Sequence, residues 1–228
     1  DEQIELTELK VEGVENLQET VLINLFEKVE KTAPKKYFNE VCCEFARGKS
    51  KHRPRNDERL YGDIIPFIQT GDVSGAEKYL NQFSKKYSDF GIQQSKIWHK
   101  GTVCITIAAN IAELAILEMD ACFPDSVIGA IPDVDVTSSE YLYYLLNFYQ
   151  KKIKAKSKGS AQQNINLGTF ADEQFPFPPV QEQILLVETL SKIEHRIREV
   201  RQISSKKIEQ LKNLKSVILA QELQSEAA

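Results

Sequence analysis

Glycine and proline are missing from the last 49 residues of the chain, so from Val180 to Ala228 nothing breaks a helix. Paired cysteines are missing too. Cys42, Cys43, Cys104 and Cys122 show no CxxC spacing, and His52, His99 and His195 are scattered, whereas a structural zinc site needs ligands at short paired spacing. The thiols therefore read as reduced and buried in a cytoplasmic protein, with no metal. No stretch reaches the ~18 uncharged apolar residues of a membrane span. A P-loop is absent, which excludes ATP by that route. The clustered carboxylates with a lysine that a nuclease needs are absent as well: Asp133 and Asp135 lie in an ordinary loop. The start, DEQIEL, is neither a methionine nor a signal peptide, and reads as the cut end of a longer protein or a processed chain.

What remains is a folding sequence. Apolar residues make up 42% and aromatics 9%, enough for a packed core, and 228 residues suffice for one substantial domain with an extension or for two small ones. The net charge of −4 conceals an asymmetry. Residues 1–34 hold 3 Lys/Arg against 9 Asp/Glu, residues 35–160 hold 18 against 15, and residues 161–228 hold 8 against 9. Positive charge thus collects in the middle, and there it clusters twice: Arg47, Lys49, Lys51, Arg53 and Arg55, then Lys151, Lys152, Lys154, Lys156 and Lys158.

The strongest pattern is in the tail. Leu186, Leu190, Ile193, Ile197, Val200, Ser204, Lys207, Leu211, Leu214 and Ile218 follow one another at alternating steps of four and three, a heptad seam. Pro178 and Pro179 suit a first turn with a missing amide, and Gln181, Glu182 and Gln183 suit the positive end of a helix. At ~1.5 Å per residue, 180–224 spans roughly 65 Å, about twice the diameter of a small domain. Each apolar seam residue stands to gain about 1.5–3 kcal/mol on burial, so a partner helix is expected, either from a second copy or from a missing half. Ser204 and Lys207 interrupt the seam as packing defects or as setters of register.

Earlier in the chain, residues 4–12 are acidic and weakly patterned, and Gly13 is expected to separate them from an amphipathic helix built on Val14, Leu17, Val21, Leu22, Leu25, Phe26 and Val29 and ended by Pro34. Its NLQETVLINLF is similar to NLKSVILAQEL at 213–223, as if one helix occurred twice. Between the helices, Tyr37 to Phe45 is ambiguous and RGKSKHRPRND is a basic loop. Ile64 to Gln69 reads as a strand into the turn Thr70–Asp72. Thr102 to Ala108 is a strand buried on both faces, Leu114 to Leu117 returns, and Ala121 to Ile131 supplies one more strand. Ser138 or Ser139 caps a helix that is apolar and aromatic first, lysine-rich second, and ended by Gly159. Its aromatic cluster, Tyr141, Tyr143, Tyr144, Phe148 and Tyr149, fits a buried face rather than a base-stacking platform. The fold class is α+β, with a long C-terminal helix and a shorter N-terminal one.

Five stretches in order, IPFIQTGDVS, KGTVCITIAANIAELAIL, DACFPDSVIGAIP, YLYYLL followed by KGSAQQNINL, and FPFPPVQEQ before the long helix, resemble the DNA-specificity subunit of type I restriction-modification enzymes over residues ~36–224. The chain departs from the family at AANIAEL, where many relatives carry glycines, so the turn around Asn110 is expected to differ. The resemblance implies an α/β-type target recognition domain on antiparallel spacer helices, with residues 1–34 ending one spacer, 35–176 the recognition domain and 177–228 the next spacer. It implies one half of a bipartite site on double-stranded DNA, no catalysis, no cofactor, and partners in an adenine-N6 methyltransferase subunit and a restriction/translocase subunit. A methyltransferase would itself show a glycine-rich cofactor loop and an Asn/Asp-Pro-Pro-aromatic motif; Pro178-Pro179 lacks the preceding Asn or Asp.

On this reading Arg47, Lys49, Lys51, Arg53 and Arg55 are candidates for phosphate or guanine. Lys158, Ser160, Gln162, Gln163 and Asn164 are candidates for phosphate and adenine. Thr70 and Asp72 lie at a strand end, placed either to contact DNA or to close the turn. Two other readings stay open: the specificity end of a fused restriction-methylation polypeptide, and a coiled-coil scaffold whose middle domain grips another protein.

Overall fold

The structure is a computed structural model that describes residues 2–108, 111–158 and 167–226. In chain order the elements are α1 (Glu2–Thr32), β1 (Lys35–Lys36), β2 (Cys42–Arg47), β3 (Tyr61–Phe67), α2 (Thr70–Gly75), β4 (Tyr79–Leu80), β5 (Lys85–Tyr87), α3 (Asp89–Gln93), β6 (Ile97–Trp98), β7 (Val103–Thr106), β8 (Leu114–Leu117), β9 (Ala121–Cys122), β10 (Val127–Pro132), α4 (Ser139–Lys158), α5 (Leu167–Ala171), β11 (Phe175–Pro176) and α6 (Val180–Glu226). They form two compact units. Phe26–Val187 is a mixed unit, and the residues through Leu25 with those from Glu188 onward make a helical one.

The mixed unit is built on three sheets. The largest runs β2-β10-β7-β8-β4, antiparallel except where β4 joins β8; a second runs β5-β3-β9-β6, and β1 pairs with β11. The expectation of a doubly buried strand is met at β7, where Val103, Cys104, Ile105 and Thr106 are all buried, as is each residue of β8. The single strand expected over 121–131 is instead two. Pro124 lacks an amide for a ladder, and the chain turns there through a Val127 N–H bond to the Pro124 carbonyl. β9 then belongs to the second sheet and β10 to the first. The indole of Trp98 stacks on Phe123 with ring centroids 4.8 Å apart, and a Cβ added to Gly129 would lie 2.5 Å from that indole, so only glycine fits.

α4 begins where the Ser138 hydroxyl accepts from the Tyr141 amide at 3.1 Å. Tyr141, Tyr143, Tyr144 and Tyr149 are buried, and the Tyr141 and Tyr149 hydroxyls donate to the Pro176 carbonyl and the Glu30 carboxylate. Burial pushes both phenols up. The aromatic cluster is therefore core. Gly159, the expected end of this helix, lies outside the described residues. Gln183 is 3% exposed and occupied by Thr137, Val136 and Pro178; its role is to seat the start of α6.

The helical unit corrects two expectations. Gly13 does not separate an acidic segment from a helix: α1 runs unbroken from Glu2. An interior glycine costs only about 1 kcal/mol relative to alanine, and Ile4, Thr7, Val11, Val14, Gln18, Val21 and Leu25, spaced three and four apart, turn inward. Leu17, expected on that face, is 57% exposed.

The second correction concerns the partner of α6, which within this unit is α1 of the same chain. The β1–β11 pair joins the end of one helix to the start of the other, so they run antiparallel, and Arg201 meets Glu15 at 2.8 Å. With those two opposite each other, each step forward on α6 is a step back on α1. Leu190, Ile197 and Ser204 are buried, while Leu186, Ile193, Val200 and Leu211 are half-buried. Lys207 is exposed, and its neighbour Ile208 takes the inward place, since a straight helix drifts from a 3.5-residue repeat. Leu214 and Ile218 are 56% and 46% exposed.

Candidate nucleic-acid interface

One end of the five-stranded sheet gathers the cationic groups. β2 finishes there at Arg47, β10 starts at Val127, β7 finishes at Thr106 and β8 starts at Leu114, as their registers require. From β2 the chain enters the basic loop, and Gly48 permits its first step. A Cβ at this position would collide with the Phe123 ring and with the carbonyls of Phe123 and Pro124. So placed, the Gly48 amide donates to the Val127 carbonyl at 2.8 Å and the Lys49 amide to that of Phe123 at 3.0 Å. The segment after α3 braces the loop from the other side: Ser95 donates to the Lys49 carbonyl at 2.7 Å and the Gln94 side chain accepts from the His52 amide at 2.8 Å.

The five cations of this loop do different things. Arg53 turns inward on the loop and donates to the carbonyls of Ser50 and His52, at 2.7 and 2.8 Å. Arg47 donates through Nε to the Asp125 carbonyl at 2.7 Å, and Arg55 through Nη2 to the Asp125 carboxylate at 2.6 Å. Lys49 and Lys51 are exposed, and neither ammonium has an ion pair among the described residues. The base of the loop is closed by Asp57, whose carboxylate takes Arg59 and, at 2.7 Å, His52; the Arg59 guanidinium foremost holds it well below the usual carboxylate range. The Tyr61 hydroxyl donates to the Arg55 carbonyl, and the Lys85 ammonium sits 4.6 Å from the Tyr61 ring centroid. Arg59 and Lys85 thus extend the basic surface. Sequence spacing gives no hint of Lys85, which arrives through the β3–β5 pairing.

Neighbouring turns continue the same edge. The Ile107 amide donates to the Ser126 carbonyl, next to Asp125, and the Ala112 amide to the Thr106 carbonyl. Ala112 holds a left-handed φ of +60°, so the departure at AANIAEL gives an alanine in a conformation that favours glycine. α4 reaches this edge from the far end of the sheet. Ser139 bonds the Gly101 carbonyl there, whereas Gln150 bonds the Ala112 carbonyl and Lys154 pairs with Glu113 at 2.8 Å here. Lys154, from the second basic run of the sequence, is thereby brought to the edge where the first run, about a hundred residues earlier, begins. Ser160, Gln162, Gln163 and Asn164 lie outside the described residues, as does the side chain of Lys158.

The model of the type I restriction modification DNA specificity domain matches residues 37–213. The chain belongs to that family. Solved structures agree in fold with this chain. One, from a structure of complex assembly and conformational transition in the type I restriction-modification system, is 19% identical with a TM-score of 0.79, covering 96% of this chain and 55% of its own. The HsdS subunit from Thermoanaerobacter tengcongensis is 18% identical, TM-score 0.70, over 96% of this chain and 53% of its own. The type I S subunit from M. genitalium is 16% identical, TM-score 0.55, over 92% and 57%. The chain thus spans a little over half the length of each.

β3 stops at Phe67 and a short helix starts at Thr70, so Thr70 and Asp72 lie just past the strand end, within the first turn of that helix. Both Asp72 carboxylate oxygens are taken, one by the Gln69 amide at 2.7 Å and one by the Ser84 amide at 3.1 Å, so this carboxylate closes the turn. The thiols divide: Cys104 and Cys122 are buried, Cys42 is half-buried and pushed up to about 12 by desolvation, and Cys43 is exposed against the expectation of burial. Among the described residues no helix is long and apolar enough to cross a membrane.

Proposed function

We propose that the chain reads one half of a bipartite site on double-stranded DNA, with residues 35–176 as target recognition domain and 1–34 and 177–228 as spacer helices. It has no catalysis of its own. Its partners are the adenine-N6 methyltransferase subunit and, through it, the restriction/translocase subunit. The observation that carries this is the basic loop, Gly48 to Asp57, pinned between Phe123–Val127 and Gln94–Ser95 on the edge that Lys154 also reaches. Most affinity in such an interface comes from cations replacing phosphate counterions, and selectivity from a few side chains at base edges. Lys49 and Lys51 suit the first task. Leu214, Val217 and Ile218, about half exposed at the end of α6, suit cover by a second copy or by a helix of a partner subunit.

The test is duplex binding across salt. With about four to six phosphates engaged, affinity falls about a hundred- to a thousandfold between roughly 50 and 200 mM salt. Lys49→Glu with Lys51→Glu weakens binding to every duplex while the unfolding midpoint is kept. A flat salt dependence would refute the reading.

A further inference from the structure

Asp125 is the acidic residue in the middle of the basic edge, and its placement is over-determined. The turn 124–127 closes through the Val127 amide on the Pro124 carbonyl at 3.1 Å, and on either side Phe123 and Val127 accept from the Lys49 and Gly48 amides. Out of this frame Asp125 offers its carbonyl to Arg47 and its carboxylate to Arg55. The Arg55 and Asp125 side chains are 50% and 42% exposed, so the pair adds little to stability. Its effect lies in geometry and charge.

A guanidinium carries five N–H donors in a rigid fork, and a single side-chain bond of Arg55 is seen among the described residues. The other Asp125 carboxylate oxygen has no bond among them. Held this way, Arg55 loses the rotamer freedom that an isolated surface arginine must surrender on binding. A carboxylate beside it also makes the pair a poor phosphate clamp, because a phosphate would be repelled by the same group that steadies the arginine. A fork of donors next to an open acceptor complements a base edge: donors to guanine O6 and N7, acceptor to the cytosine amine. The other carboxylate of the loop differs. Asp57 is filled by Arg59, the Arg59 amide and His52, and serves the loop's own closure.

The geometry points to Asp125 as a specificity-determining residue that holds Arg55 against a guanine and itself accepts from cytosine, so that the half-site contains G·C at the position these two read. This rests on the DNA reading above and adds to it a residue and a base class.

The experiment is selection of bound sequences from a random double-stranded DNA library by the full chain, wild type and variants, with affinity for a mixed-sequence duplex measured alongside. Wild type is expected to select a motif with a fixed G·C. Asp125→Ala and Arg55→Ala each erase preference at that same position, lowering affinity for the selected duplex about ten- to a hundredfold. Arg55→Lys, which keeps the charge and loses the fork, does the same. Lys49→Ala weakens selected and mixed duplexes alike and leaves the motif intact. Asp125→Asn keeps one acceptor oxygen and the Arg47 bond to the backbone, and retains more of the preference than alanine. If Asp125→Ala keeps the motif and binds all duplexes more tightly, Asp125 only screens Arg55 and the inference is overturned; a change at a position that Arg55→Ala leaves untouched overturns it too. A wild-type chain that selects no motif refutes instead the DNA reading itself.

Discussion

Gly48→Ala tests how the basic loop is held, without removing a single charge. The added methyl meets the Phe123 ring and two backbone carbonyls, none of which is the far end of a flexible side chain, so the loop must lift. Overpacking of this kind costs about 1–3 kcal/mol. Lifting also strains the Gly48 bond to Val127 and the Lys49 bond to Phe123, worth about 0.5–1.5 kcal/mol each. The expected loss is about 2–6 kcal/mol, which at about 2–4 °C per kcal/mol for a chain of this size lowers the unfolding midpoint by about 4–24 °C. Because Arg47 and Arg55 reach Asp125 only from the seated loop, the fixed position in the selected motif is lost as well, even where the variant is fully folded. Thermal unfolding by circular dichroism and duplex binding well below the midpoint measure the two effects. A variant within about 0.5 kcal/mol of wild type with unaltered selectivity would show that the loop is not seated by this contact.

The helical unit separates internal from external seams: Ile197→Asp buries a charge at a position 4% exposed and should melt the α1–α6 pairing by chemical denaturation. Leu214→Asp with Ile218→Asp should leave stability within about 0.5 kcal/mol yet reduce association on sizing chromatography. A thiol reagent at neutral pH should modify Cys43 first and Cys104 only on unfolding, read by mass spectrometry. Raising the pH should destabilise the mixed unit. Cys42, Cys104 and Tyr141 have folded pKa values above the ordinary 9.0 and 10.0, so their contribution is intact below pH 9 and shrinks as the unfolded groups ionise; a denaturation midpoint flat from pH 8 to 11 would contradict that burial.

Much of the fold was legible because single elements obey local rules. β7 and β8 announce themselves by uninterrupted apolar residues, α4 by its serine cap and half-aromatic face, and α6 by the absence of any breaker. The misreadings came where local signals are weak against tertiary ones. Gly13 looked like a boundary because its cost is visible in sequence, whereas the α6 surface that offsets it is nearly two hundred residues away. Pro124 looked like part of a strand because the residues on both sides suit one, and only the two sheets show that they serve different ladders. At the site, a run of five cations reads as one patch; in the structure Arg53 serves the loop itself and Arg55 is held by Asp125, a residue with no distinguishing sequence context.

The sequence by itself determined that β7, β8 and α4 form, that a long unbroken helix closes the chain, that positive charge concentrates between residues 35 and 160, and which family the motifs belong to. Those properties depend on neighbours a few residues apart: heptad steps, caps, β-branched runs and charge counts. Only the tertiary structure decided that α1 covers the seam of α6, that Lys154 reaches the sheet edge where the basic loop starts, and which cations stand clear of the protein's own acceptors. Those properties depend on pairings across tens to hundreds of residues, where a single ion pair or a missing Cβ sets the outcome and no periodicity records it.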